Sequence, residues 1–337
     1  LRRTKEINGN QTDSAKNVRI ENINTKICSC VRLHILTQLV CKEREVLPMK
    51  AEVRYKQPKR LLNPASGFLS GYTHTLNPYT GCAYACSYCY VRRMPVGLFA
   101  GQPWGSWVDV KEGAADLLRK ELVRARKKGP VTIFMSSSTD PYQPAEAREG
   151  ITRSLLEVMA DDPPDFLFLQ TRSPHVTRDA DLLLRFGSRV LVSVTVETDR
   201  DDIRRAFAPS APPIPARLKA LRELTALGVP TQAAIAPLLP CTDGFGARLA
   251  EVTANVCLDT FAMGDGSGGR RTEQLRISEI HEQLGLSEWY RPEAYLHVRE
   301  QLTGAFDPGR IRISRDGFLP LPAEAGAGDA PGGGPEG

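Results

Sequence analysis

Five short apolar runs constrain this chain more than any other feature. They lie at 131–136 (VTIFMS), 166–171 (FLFLQT), 190–196 (VLVSVTV), 230–236 (PTQAAIA) and 256–262 (VCLDTFA). Each is bounded by turn or polar residues and is apolar almost throughout, as strands covered on both faces are. Helix-length stretches separate them, at 109–128, 145–160, 177–187, 214–228 and 245–254. The first ends in cationic residues followed by Gly129, a C-terminal helix signal. A further short strand is expected within Tyr72–Tyr79, before a loop at Thr80-Gly81. Strand and helix thus alternate about six times, which predicts an α/β fold around a parallel sheet. Alternation alone does not choose between a barrel and a doubly wound sheet.

The two ends differ from this body. Residues 1–48 hold five Asn, against three in the other 289 residues, and nine Lys or Arg against five Asp or Glu. Met49 follows directly, so 1–48 is expected to be a disordered arm or an over-called start. Most of the formal charge of +5 belongs to that arm, leaving no uniformly basic coat on the main body. Residues 322–337 are Ala, Gly, Pro and acid, too polar to offset ordering entropy, and are expected to be a disordered tail. The folded domain is expected to span 49–321. No apolar run is long enough to span a bilayer and no secretory signal is visible, which points to a cytoplasmic protein without membrane contact.

Among eight cysteines, three form the strongest chemical signal: Cys82-Ala-Tyr-Ala-Cys86-Ser-Tyr-Cys89. Three thiolates this close can converge on one soft metal centre. A closed structural zinc site needs four ligands, with His74 the nearest candidate for the fourth. A four-cysteine electron carrier would need Cys241 or Cys257, both remote in sequence. Three cysteines suit a four-iron four-sulfur cluster with one iron left open.

This C-x3-C-x2-C run, with Tyr88 before its last cysteine and at the head of an α/β domain, resembles the radical S-adenosylmethionine superfamily. Asn77-Pro-Tyr-Thr-Gly-Cys82, then Ser138-Thr-Asp-Pro-Tyr-Gln-Pro144, then Thr171-Arg-Ser173 resembles its spore photoproduct lyase-like branch, also called DNA repair photolyase-like, over about residues 62–285. The resemblance implies a partial TIM barrel, (β/α)6, with residues 286–321 as a C-terminal flank. It implies a 4Fe-4S cluster on Cys82, Cys86 and Cys89, and S-adenosylmethionine on the open iron. One electron would then cleave the cofactor to methionine and a 5′-deoxyadenosyl radical, which abstracts hydrogen from the substrate. An electron donor such as flavodoxin or ferredoxin is implied, and DNA or another nucleic acid as substrate.

Period-two alternation adds its own reading. Val190, Val192, Val194 and Val196 share one face, suited to packing under helices. Ser193, Thr195 and Glu197 lie on the other, which grows polar toward its end. They are candidates for the ribose or methionine part of the cofactor, or for bonds between neighbouring strands. Ser138, Thr139 and Asp140 end the second strand and are expected near the cofactor's amino group, or as a helix cap. Arg172 is expected to pair with its carboxylate, where spore enzymes typically carry Lys, or else to lie at the surface. Ala234, Ile235 and the main chain of Tyr88 are expected to flank the adenine.

The resemblance has a gap. The spore enzymes carry a cysteine that returns hydrogen to the product radical, and the matching position here is Ser137, or Ser136 or Ser138 if the register slips by one. A hydroxyl O–H is too strong to replace a thiol S–H in that step. Cys241, beyond the fifth strand, is a candidate donor thiol, with burial as the plainer explanation, and Cys257 reads as core. Arg92, Arg93, Arg204, Arg205, Arg270 and Arg271 are candidates for phosphate contact or for solvated helix ends. A non-catalytic iron–sulfur or zinc module, used for electron transfer or scaffolding, is the alternative function.

Overall fold

A computed structural model describes residues 51–321. The expected arm at 1–48 and the tail at 322–337 lie outside these residues. In chain order the strands are β1 (Glu52–Lys56), β2 (Asn63–Pro64), β3 (His74–Leu76), β4 (Tyr79–Thr80), β5 (Trp107–Lys111) and β6 (Thr132–Met135). They continue with β7 (Phe166–Thr171), β8 (Val190–Thr195), β9 (Thr231–Ile235), β10 (Val256–Leu258) and β11 (Ile311–Ile313).

Eight of these form one sheet in the order β11-β10-β9-β8-β7-β6-β3-β2. Every neighbouring pair from β3 to β11 is parallel, and only β2 runs antiparallel, on β3. Because sheet order follows chain order without reversal, the winding is that of a barrel and not of a doubly wound sheet. The two edges do not pair with each other, so the barrel is open. A smaller sheet of β1, β5 and β4 is separate.

Alternation sorts the side chains as the sequence predicts. Val190, Val192, Val194 and Val196 are fully buried with Leu118, Leu155, Leu183 and Leu221 from the surrounding helices. Each such side chain contributes about 1.5–3 kcal/mol by leaving water. The inward face carries a second, aromatic core of Tyr72, Phe134, Phe168, Leu191 and Phe318. Phe134 and Phe168 stack with centroids 4.8 Å apart, and Tyr72 meets Phe134 edge-on at 5.4 Å. These rings fill the lower barrel and leave its upper end free.

Several expectations need correction. Residues 109–111 belong to β5, not to the helix, which runs Ala114–Arg126. Asp109 is held there by Arg54 and Lys56 of β1, a long-range pairing that helical periodicity cannot show. The stretch 145–160 is two helices, Glu146–Glu149 and Ile151–Asp161, broken at Gly150, whose φ is +63°. The stretch 177–187 begins as a 3-10 segment, Pro174–Asp179. The last predicted strand stops at Leu258 because Thr260 caps a short helix, Phe261–Gly264, by accepting from Met263 N. The flank 286–321 supplies β11, a seventh parallel strand.

Candidate active site

The cysteine loop leaves β4 through Gly81. Its φ is +84°, and a Cβ there would lie 2.5 Å from the Trp107 carbonyl oxygen, so only glycine fits. Gly81 O accepts from Thr139 Oγ1 at 2.6 Å and from Gln143 Nε2 at 3.2 Å, and Ala83 N donates to Gln143 Oε1 at 2.9 Å. Farther on, Arg92 donates to the carbonyls of Ala85 and Cys86, and Tyr84 OH to Tyr142 O. The loop is therefore clamped by side chains from the end of β6 and from its own exit.

Cys82, Cys86 and Cys89 all line one cavity of about 520 Å³ at the C-terminal ends of the strands. This is the end at which barrels of this kind carry their sites. Burial pushes the Cys89 thiol up to about 11, with the Cys86 sulfur adding to the rise. Burial also raises Cys82, with Asp140 and the other two sulfurs contributing. The three sulfurs are thus near enough to oppose one another's ionisation, and a bound cation would relieve that opposition.

Beside Cys86 stands a buried charge network. Arg172 Nη1 donates to the Cys86 sulfur at 3.0 Å and to Glu197 Oε1 at 2.7 Å, and lies 2.7 Å from the Tyr88 hydroxyl. Tyr88 OH donates to the same Glu197 oxygen at 2.5 Å, and Arg217 Nη1 to its other oxygen at 2.6 Å. Burial alone would raise the Glu197 pKa, but Arg217, Arg172 and Tyr88 bring it down to about 2.

The residues singled out in the sequence fall into two groups. Ser138, Thr139, Asp140, Arg172, Thr195 and Tyr88 line the cavity with the cysteines. Thr139 and Asp140 have structural work as well. Asp140 accepts from Tyr142 N and Thr171 Oγ1 with one oxygen and from Arg172 N with the other, joining the ends of β6 and β7. Ser138 N donates to Asn77 Oδ1.

The second group lies off the cavity wall. Ser193 accepts from Gln232 on the next strand, Glu197 sits behind Tyr88 and Arg172, and Ala234 and Ile235 are fully buried. Cys241 packs in the helix-side core, where burial pushes its thiol up to about 12. Ala236 and Pro237, one step beyond the pair expected at the adenine, do line the cavity. His74 pairs with Thr73 and is not on the cavity wall.

Sequence reasoning missed Asp259, Phe261, Asp265 and the lining role of Arg271. The helix cap at Thr260 and the glycines at 264, 266, 268 and 269 were the signals that the strand had ended and a loop begun. It also missed Arg217, fully buried against Glu197.

No group of three or more His, Cys, Asp or Glu surrounds a single ion among the described residues. A four-iron cluster takes one thiolate at each of three corners, wider apart than the ligands of one ion, and the three sulfurs sharing a cavity suit that demand. Two orphaned buried atoms on the same wall, Ser136 Oγ and Gln170 Oε1, suit a polar ligand. Ser136 also holds a φ of +79°, unusual for a residue with a side chain and common where a site is shaped.

The family model described as the radical SAM superfamily matches residues 76–243. An uncharacterized protein of Methanocaldococcus jannaschii is 34% identical over 191 residues, covering 57% of this chain and 69% of that protein. One of Mycobacterium bovis is 29% identical over 272 residues, covering 76% and 79%. Among solved structures, spore photoproduct lyase complexed with dinucleoside spore photoproduct superposes with a TM-score of 0.53 at 14% identity, covering 84% of this chain and 92% of that one. A spore photoproduct lyase with one cysteine replaced by serine gives 0.55 at 15% identity, covering 78% and 81%. At such identities the likeness is one of fold.

Proposed function

This chain belongs to the radical SAM superfamily and is an enzyme of that class, and from this premise we propose that it carries a 4Fe-4S cluster on Cys82, Cys86 and Cys89. The observation that carries the reading is the common cavity of these three cysteines with the polar ends of β6, β7 and β8. When bound, the cluster with S-adenosylmethionine supplies a 5′-deoxyadenosyl radical able to abstract hydrogen from a substrate.

The chain's own residues prepare that site. Thr139, Gln143 and Arg92 fix the cysteine loop through its carbonyls. Arg172 has one nitrogen committed to Cys86 and Glu197, and its guanidinium presents a cationic edge for a carboxylate. Ser136 and Gln170 offer free polar atoms on the wall. The buried aromatic core of Tyr72, Phe134, Phe168 and Phe318 lies inside the barrel, and Phe134 and Phe318 reach the cavity.

We assign the substrate to nucleic acid or nucleotides, supported by a fold shared with spore photoproduct lyase. Repair through a cysteine hydrogen donor is not part of this proposal. Ser137 stands at the matching position, its hydroxyl accepting from Asn77 Nδ2 at 3.1 Å. The donor would be a small acidic redox protein of the flavodoxin or ferredoxin kind, and the site of action the cytoplasm. No helix among the described residues is long and apolar enough to cross a membrane.

Anaerobic reconstitution tests the cluster. The wild type should take up iron and sulfide in equal amounts, and its reduced spectrum should change when S-adenosylmethionine is added. Cys86→Ala should lose the signal. Zinc in place of iron, or a cluster indifferent to S-adenosylmethionine, would favour the non-catalytic module.

A further inference from the structure

Three aspartates line the cavity: Asp140, Asp259 and Asp265. Two are saturated. Asp140 accepts from Tyr142, Thr171 and Arg172. Asp265 accepts from the backbone N–H groups of Ser267, Gly269, Arg271 and Thr272, and so shapes the glycine-rich loop after β10.

Asp259 differs. It follows Leu258, the last residue of β10, and is only 4% exposed. Its backbone is pinned, with N donating to Ile235 O and O accepting from Leu238 N. Its side chain accepts at Oδ1 from its neighbour Thr260 N and also takes a hydrogen bond from Ser314, fewer donors than Asp265 has. No Lys or Arg pairs with it among the described residues. A buried carboxylate without a cation is costly, and such groups cluster where ligands bind. Gly264 leaves it room: a Cβ there would lie 2.0 Å from Asp259 Oδ2.

The same cavity has an aromatic wall. Phe134, Phe318 and Phe68 all line it, with Phe68 and Phe318 centroids 5.8 Å apart and Phe134 and Phe318 6.5 Å apart. Phe134 and Phe318 are 5% and 7% exposed and Phe134 already stacks on Phe168, so the wall offers a flat ring a close apolar contact. A carboxylate accepts hydrogen bonds and repels carbonyl oxygens.

We propose that Asp259 and this phenylalanine wall form the substrate seat, and that it takes a flat nitrogen heterocycle presenting an amino N–H edge. This rests on reading the cavity as the radical site and goes beyond it in naming the chemistry recognised. A cytosine-like or guanine-like edge satisfies the carboxylate. A thymine-like edge sets its ring N–H between two carbonyls and does not. The cofactor's own adenine carries the same amino chemistry, and the test separates the two sources.

Calorimetric titration of the reconstituted protein, saturated with S-adenosylhomocysteine, uses cytidine, guanosine and thymidine as probes. Cytidine and guanosine should bind about tenfold or more tightly than thymidine. Asp259→Ala should lose that preference, and Asp259→Asn, whose amide both donates and accepts, should blur it. Phe134→Leu should weaken all three together while S-adenosylhomocysteine still binds as in the wild type, which separates the seat from a general loss of folding. Equal affinities in the wild type, unchanged affinities in the variants, or no nucleoside binding would overturn the proposal. So would an Asp259→Ala that weakens S-adenosylhomocysteine instead, since Asp259 would then seat the adenine. Asp259-dependent nucleoside binding in a protein that never cleaves S-adenosylmethionine would leave this inference standing and remove the proposed reaction.

Discussion

Arg172 Nη1 lies 3.0 Å from the Cys86 sulfur, so a largely buried cation just beyond β7 donates to the middle cysteine of the loop. Hydrogen bonds from charged donors to cluster-ligating sulfurs favour the reduced state, because reduction adds negative charge at that place. Arg172→Gln should lower the midpoint potential of the reconstituted cluster, read by redox titration followed spectroscopically. Arg172→Lys, which keeps the charge, should lie between the two. Identical midpoints in all three proteins would show that the contact does not tune the cluster.

Arg217 matters through Glu197. Both are buried, and losing one partner of such a pair costs up to about 3–5 kcal/mol; here Glu197 Oε2 is stripped of its partner while Arg172 and Tyr88 still hold Oε1. Arg217→Met should lower stability by that order in denaturant unfolding, and adding Glu197→Gln should restore part of it.

Acid unfolding checks the same pair from the other side. The folded pKa of Glu197 is depressed to about 2, so its contribution is present above the ordinary carboxylate range and is lost as pH falls through about 2. The displacement corresponds to about 3 kcal/mol. Glu197→Gln should therefore flatten the fall in stability between pH 5 and pH 2 relative to the wild type.

Asp259 has the opposite sign. Burial raises its pKa to about 6, with Asp265 adding to the rise. Its contribution is fully present below the unfolded pKa near 4 and is lost as pH rises through about 6. Asp259→Asn should be more stable than the wild type at pH 8, by up to about 3 kcal/mol, with the difference vanishing toward pH 4. Parallel stability curves for the two proteins would contradict the buried, unpaired placement. A stabilising substitution at a ligand-facing residue is also the pattern expected of a functional site.

The sequence showed most clearly what local pattern encodes. The parallel strands were readable because burial on both faces leaves unbroken apolar runs, as in Phe166–Thr171 and Val190–Thr195. The three cysteines stood out because their close spacing is a local pattern, and the fold brings all three to one cavity. What stayed hidden depends on partners far along the chain. Asp109 looked like a helix start until Arg54 and Lys56 of β1 claimed it. Arg217 sits in a helix where an arginine ordinarily faces water, and only the fold brings Glu197 to it. Ser193 lies on β8 and Glu197 two residues beyond its end. Periodicity cannot tell a residue that faces the cavity from one bonded to the next strand, as Ser193 is, or to a neighbouring arginine, as Glu197 is.

We propose that Cys82, Cys86 and Cys89 support reductive cleavage of S-adenosylmethionine. The direct measurement is anaerobic incubation of the reconstituted protein with dithionite and S-adenosylmethionine, followed by chromatographic detection of 5′-deoxyadenosine. The wild type should form it and Cys86→Ala should not. A fully loaded cluster that yields no 5′-deoxyadenosine under strong reductant, or equal yields from the variant, would contradict this proposal.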